Sequence, residues 1–159
     1  MTDTAALILL LAMIAGACAA PPSASDPRDA VARVLDDFHA AAAASDGDRY
    51  FAHFTDDGVF LGTDATERWT VAEFRAYAEP FFAKGKGWTY HPWERFVGLS
   101  ADGATAWFDE RLSHGRYGEL RGTGVLRLEH GRWRIAQYNL AFPVPNDLAL
   151  DLVERIRGR

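Results

Sequence analysis

At Trp88 the hydrophobic pattern of this chain changes period, and it stays changed as far as Phe142. Trp88–Leu99, Ala104–Ser113, Glu119–Glu129 and Arg132–Phe142 each read as a strand bounded by turn-forming residues. The turns are Ala101-Asp102-Gly103, Gly115 to Gly118, and His130-Gly131. Strands joined by turns this short pair antiparallel, so the four form a meander. Pro143 and Pro145 end it, and Asn146 is placed to cap a C-terminal helix in which Leu148, Leu152, Val153 and Ile156 recur.

Ahead of the meander the spacing is helical. Asp26 is placed as an N-cap, with Pro27 in the first helical position and Asp29 at the positive end of the dipole. Val31, Val34, Leu35, Phe38 and Ala42 then form an apolar stripe that ends at Ser45-Asp46-Gly47. Asp48–Phe54 reads as a short second helix and Gly58–Leu61 as a brief strand. Thr70 and Glu73 form a capping box for a third helix that turns Val71, Phe74, Tyr77 and Ala78 inward. Pro80 is expected to stop or kink that helix after Glu79. Helices followed by a meander predict an α+β fold, with the helices packed on one face of a curved sheet.

The 159 residues suit one domain, and 48% hydrophobic content is enough to bury a core. With 17 basic and 22 acidic side chains the net charge is −5, which disfavours nucleic acid as a partner. Residues 1–17 read as a signal peptide, from the apolar run Leu7–Ile14 followed by Ala15-Gly16-Ala17. Ala15-Gly16-Ala17-Cys18 also resembles a bacterial lipobox, in which Cys18 becomes the acylated N-terminus. No Lys or Arg precedes the apolar run, and Ala15 stands where a lipobox has leucine, so ordinary export remains the alternative. Residues 18–26 are a Pro/Ser/Ala tether, and 27–157 are the domain. The expected location is exported, either periplasmic or as a lipoprotein anchored at the membrane through Cys18.

Strand register then nominates inward-facing residues. A two-residue hairpin at His130-Gly131 pairs Leu128 with Trp133, Gly124 with Gln137 and Gly122 with Asn139. With the Gly115 to Gly118 turn set so that Ser113 pairs with Gly118, Trp107 lies opposite Gly124, Asp109 opposite Gly122, and Glu110 with Arg121 on the outer face. A three-residue loop before Ala104 sets Arg95 opposite Asp109 on the inner face, while a slip of one residue would set Glu94 there; Arg95 is the more economical choice because an inward carboxylate needs a partner. Two glycines beside Asp109, Gln137 and Asn139 predict a cavity rather than a filled core.

Several segments carry a resemblance. They are Ser45-Asp46-Gly47-Asp48, Phe54-Thr55-Asp56-Asp57-Gly58-Val59-Phe60, and Gly62 to Trp69. Later come Ala106-Trp107-Phe108-Asp109-Glu110, Arg121 to Leu126, Gly131 to Ile135, Gln137-Tyr138-Asn139-Leu140 and Pro145-Asn146-Asp147. Together they resemble the nuclear transport factor 2-like superfamily in its SnoaL-like branch. The resemblance implies a cone-shaped, cystatin-like α+β roll with a pocket between sheet and helices, often in a homodimer. It also implies an inward carboxylate or histidine acting as acid or base, here Asp109. The branch's histidine on the last strand is replaced here by Gln137 or Asn139, and carboxamides orient ligands without moving protons.

The expected pocket therefore comprises Trp107, Asp109, Gly122, Gly124, Gln137, Asn139, Arg95, Trp69 and Glu67. Asp109 is either a general base or a structural carboxylate paired with Arg95 or Arg111. Asp64 and Glu67 either line the mouth or only shape their loop. The tryptophans either pack the core or surround a flat ligand. His39 flanks the first helix's stripe and His91 precedes Pro92; both read as structural, with a reach into the cone left open. No spacing suggests a metal site, a phosphate loop or a cofactor. The expected function is binding of a small, largely apolar molecule. The alternatives are an isomerase, dehydratase or cyclase using Asp109, or a non-catalytic interaction module of the cell envelope.

Overall fold

The computed structural model describes residues 26–159. The signal segment, Cys18 and the tether up to Ser25 lie outside the described residues. Helix α1, Pro27–Ala43, begins as its caps dictate, with the Asp26 side chain accepting from the Arg28 amide at 2.9 Å. Helix α2 spans Gly47–Ala52, with Asp46 capping Arg49. Strand β1 spans Phe54–Leu61, longer than its sequence suggests, and β2 spans Arg68–Thr70. Helix α3, Val71–Phe82, starts at the complete capping box of Thr70 and Glu73.

Pro80 lies inside α3 and does not end it. A proline two residues from the helix end removes only one hydrogen bond, to the Ala76 carbonyl, and the final turn closes normally with the Ala83 amide on Glu79.

The meander follows as β3 (His91–Leu99), β4 (Thr105–His114), β5 (Gly118–Glu129) and β6 (Arg132–Ala141). The six strands form one curved sheet in the order β2-β1-β6-β5-β4-β3. All neighbours are antiparallel except β1 and β6, which run parallel. A 3-10 turn at Asn146–Leu148 leads into α4, Ala149–Arg157, which buries none of its residues.

The core lies between the helices and the inner face of the sheet. Val31, Leu35, Phe38 and Ala42 of α1 meet Phe54, Phe108, Leu126, Ile135 and Tyr138 there. Phe38 stacks on Tyr50 with ring centres 4.4 Å apart, and Phe60 on Phe74 at 3.9 Å.

Three of the expected registers differ from the structure by one residue. The β4–β5 turn holds three residues, since His114 pairs with Gly118. The β3–β4 pairing sets Arg95 opposite Glu110 and Phe96 opposite Asp109. The β5–β6 hairpin starts as expected, with Leu128 on Trp133 and Leu126 on Ile135, and then bulges at Ala136. Beyond the bulge Gly124 faces Tyr138 and Gly122 faces Leu140. Because side chains alternate, each one-residue slip exchanges the two faces of a strand.

Candidate functional site

On β4 the alternation turns Ala106, Phe108, Glu110 and Leu112 inward. Glu110 is therefore not on the outer face with Arg121; its side chain is fully buried, and Arg111 is the residue opposite Arg121. One carboxylate oxygen, Oε1, accepts from the Tyr138 hydroxyl at 2.9 Å and lies 2.7 Å from His39 Nε2. The other, Oε2, accepts from Arg95 Nε at 2.8 Å. Arg95 Nη1 reaches on to the Ala32 carbonyl at 3.0 Å and to Asp36 at 2.8 Å.

Burial works to raise the Glu110 pKa, but the His39 hydrogen bond and charge together with Arg95 outweigh it and hold it below the ordinary 4.5. An ionised Glu110 accepts only, so His39 Nε2–H donates to it. Tyr138 is pushed well above its ordinary value, first by burial and then by the adjacent Glu110 charge. It stays neutral and donates. The other ring nitrogen of His39, Nδ1, has no protein partner among the described residues.

Sequence reasoning leaves His39 open as a residue that reaches the cone but does not join it to Glu110 and Tyr138. The one-residue slip in the β4–β5 register puts Glu110 on the outer face, and the unread bulge at Ala136 hides the inward turn of Tyr138. His39 stands four residues after Leu35, directly on the buried stripe of α1, which was the available signal.

Next to the trio lies a cavity of about 590 Å³, and His39 and Tyr138 form part of its wall. Its walls are largely aromatic. Phe60 lies within 3° of parallel to Tyr138 and 17° of Phe74; Phe74 lies within 9° of Trp69, which stacks on Tyr77 at 4.9 Å. Tyr50, Trp88, Tyr90, Tyr117 and Phe142 complete much of the lining.

Of the expected pocket residues, Trp69 and Glu67 do line this cavity. Arg95 points inward as expected, but onto Glu110 rather than Asp109. Asp109 and Trp107 are corrected to the outer face, where both are exposed and Trp107 covers Gly98 of the adjacent strand. Gln137 is exposed and Asn139 half-buried on that same outer face, because the Ala136 bulge reverses the end of β6. Gly122 and Gly124 do face inward, yet they do not open a hollow. A Cβ at Gly122 meets the Tyr138 hydroxyl and Glu110, and one at Gly124 meets the Gln137 carbonyl and the Phe108 ring. The missing side chains make room for Tyr138 over Glu110, and the open space lies elsewhere in the cone.

Among the described residues no group of three His, Cys, Asp or Glu side chains is placed to hold a metal ion. No described helix is long and apolar enough to cross a membrane.

The family profile of the SnoaL-like domain matches residues 31–145. The chain belongs to the SnoaL-like domain family. Solved structures agree on the fold of this SnoaL-like chain. A nuclear transport factor 2-like protein of unknown function from Pseudomonas putida is 15% identical, with a TM-score of 0.63 over 76% of this chain and 89% of that one. A protein from Novosphingobium aromaticivorans, proposed to be an aromatic ring hydroxylase, is 21% identical, with a TM-score of 0.62 over 74% and 90%. A second protein from that organism, proposed to be a scytalone dehydratase, is 10% identical, with a TM-score of 0.62 over 74% and 85%. At these identities the likeness is one of fold. No curated protein sequence matches the chain significantly.

Proposed function

We propose that the cone of this SnoaL-like domain binds a small, flat, largely apolar molecule. The observation that carries this reading is the run of near-parallel rings from Tyr138 through Phe60 and Phe74 to Trp69 and Tyr77, bordering a space of about 590 Å³. Such walls favour a planar ligand through offset stacking, and a cavity of this size accepts a molecule of drug-like dimensions. Native mass spectrometry on protein purified from its own host tests the reading. A retained small molecule, lost on Phe74→Ala and Tyr77→Ala substitution, is the expected result; a clean apo mass with no ring compound bound at any concentration overturns it.

The 2.7 Å contact between His39 and Glu110 favours a second reading, that bound ligand is also transformed by proton transfer. Glu110 fixes the tautomer and stabilises the imidazolium, while Nδ1 of His39 is the base. Asp109, exposed on the outer face, is not in this proposal. If the reading holds, ligand incubated in D2O gains deuterium at carbon with the native protein and none with His39→Asn. Equal exchange in both leaves a binder only.

Export remains a proposal as well, and it rests on residues 1–18 alone. Cys18→Ser followed by membrane fractionation should move the protein from the membrane to the soluble fraction; an unchanged distribution excludes the lipid anchor.

A further inference from the structure

We infer that the ligand of this pocket carries an acidic group, seated at the mouth between Lys86 and Arg116, while its flat body lies among the rings. This rests on the cone being a binding pocket, as argued above, and adds the chemical class of what enters it.

The polar groups of the cavity fall into two sets. At the inner wall, the Tyr138 hydroxyl and His39 Nε2 are already spent on Glu110. Toward the exposed loops stand Lys86, after α3, and Arg116, at the tip of the β4–β5 hairpin. Neither cation has a carboxylate within ion-pair distance among the described residues, which is equally true of Arg33, Arg68 and Lys84; what distinguishes Lys86 and Arg116 is that both line the cavity.

Their neighbours are donors too. His114 Nδ1 accepts from the Arg116 and Tyr117 amides at 3.2 and 3.3 Å, which leaves the proton on Nε2. The Tyr90 ring lies 5.2 Å from that imidazole. Tyr90 is pushed up to about 12, by burial first and then by the nearby phenols Tyr117 and Tyr77, so its hydroxyl stays a donor at any physiological pH. The carboxylate of the lining, Glu67, is engaged by the Asp64 amide at 3.1 Å. Against the single charge of Glu67 the lining sets two cations together with N–H and O–H donors, and that balance complements an anion. Carboxylate, sulfonate and phosphate share that chemistry. With a stacking aromatic wall behind it, the fitting class is a planar, ring-containing acid.

Two dyes with one ring skeleton separate the terms. 1-Anilinonaphthalene-8-sulfonate is anionic, and N-phenyl-1-naphthylamine is its uncharged counterpart. Affinities of both for the full chain are read by fluorescence, with Lys86→Gln/Arg116→Gln and with Thr63→Trp, which plugs the lining. The paired neutralisation should weaken the sulfonate about five-fold or more and the neutral dye less than about two-fold. Salt at about 0.5 M should narrow the sulfonate difference in the same direction. Thr63→Trp should abolish both. Equal response of the two dyes to the neutralisation, or no response of the sulfonate, overturns the acidic ligand while leaving the pocket in place. Failure of the native protein to bind either dye, or binding that survives Thr63→Trp, overturns the pocket reading itself.

Discussion

Glu110 holds its charge without solvent contact because donors from three elements converge on it: His39 of α1, Arg95 of β3 and Tyr138 of β6. Removing that charge leaves Arg95 in a largely buried position with only the exposed Asp36 as counter-ion. Breaking a buried pair from one side costs about 3 kcal/mol, so Glu110→Gln should lower unfolding free energy by roughly that amount in urea titration. Asp109→Asn, one residue away on the exposed face, should change it by less than about 0.5 kcal/mol. The pair of variants reads the β4 register directly: comparable losses, or the larger loss at Asp109, contradict it.

Element by element, what the sequence made legible was local. The Asp26 cap, the Thr70–Glu73 box, the two-residue His130-Gly131 turn and the four strands of the meander all follow from chemistry within a few residues. His130 at φ 50° and Gly131 at φ 77° make the hairpin turn that such a pair favours. Side-chain direction was not local. It depended on whether the β4–β5 loop held three residues or four and on a bulge at Ala136, and neither leaves a mark in hydrophobic alternation. Both faces of β4 carry an aromatic ring and an acid, Trp107 with Asp109 and Phe108 with Glu110, so the pattern itself was symmetric. The expectation for Pro80 failed differently, since a breaker near the end of a helix removes one bond instead of a turn. Pro80→Ala restores a donor toward the Ala76 carbonyl and should stabilise the protein by about 1 kcal/mol, seen as a higher thermal midpoint; a lower midpoint indicates that proline's restriction of the unfolded chain outweighs the lost bond.

For the molecule as a whole, acid stability follows from the same carboxylate. Its folded pKa lies below the ordinary 4.5, so its contribution is complete above that value and is lost as pH falls through the lowered one. Thermal midpoints should therefore drop below about pH 4.5 in the native protein, and the drop should be shallower in Glu110→Gln. Parallel acid limbs for the two proteins would assign the effect to the exposed carboxylates instead. The aromatic wall and the buried ionic network also divide the labour between halves of the cone: stacking gives the space its shape, and the network fixes His39 on its inner wall.

The extra residue at Ala136 has a consequence for how such a cone diverges. A point substitution re-lines the interior one side chain at a time, but a ladder that kept Ala136 and paired it with Val125 would turn the end of β6 over in a single step. Gln137 and Asn139 would then look inward and Tyr138 outward, trading a phenol braced on a carboxylate for two amides. Deleting Ala136 does the opposite: Gln137 still meets Val125 and Tyr138 still meets Gly124, so the interior keeps its chemistry on a straighter strand.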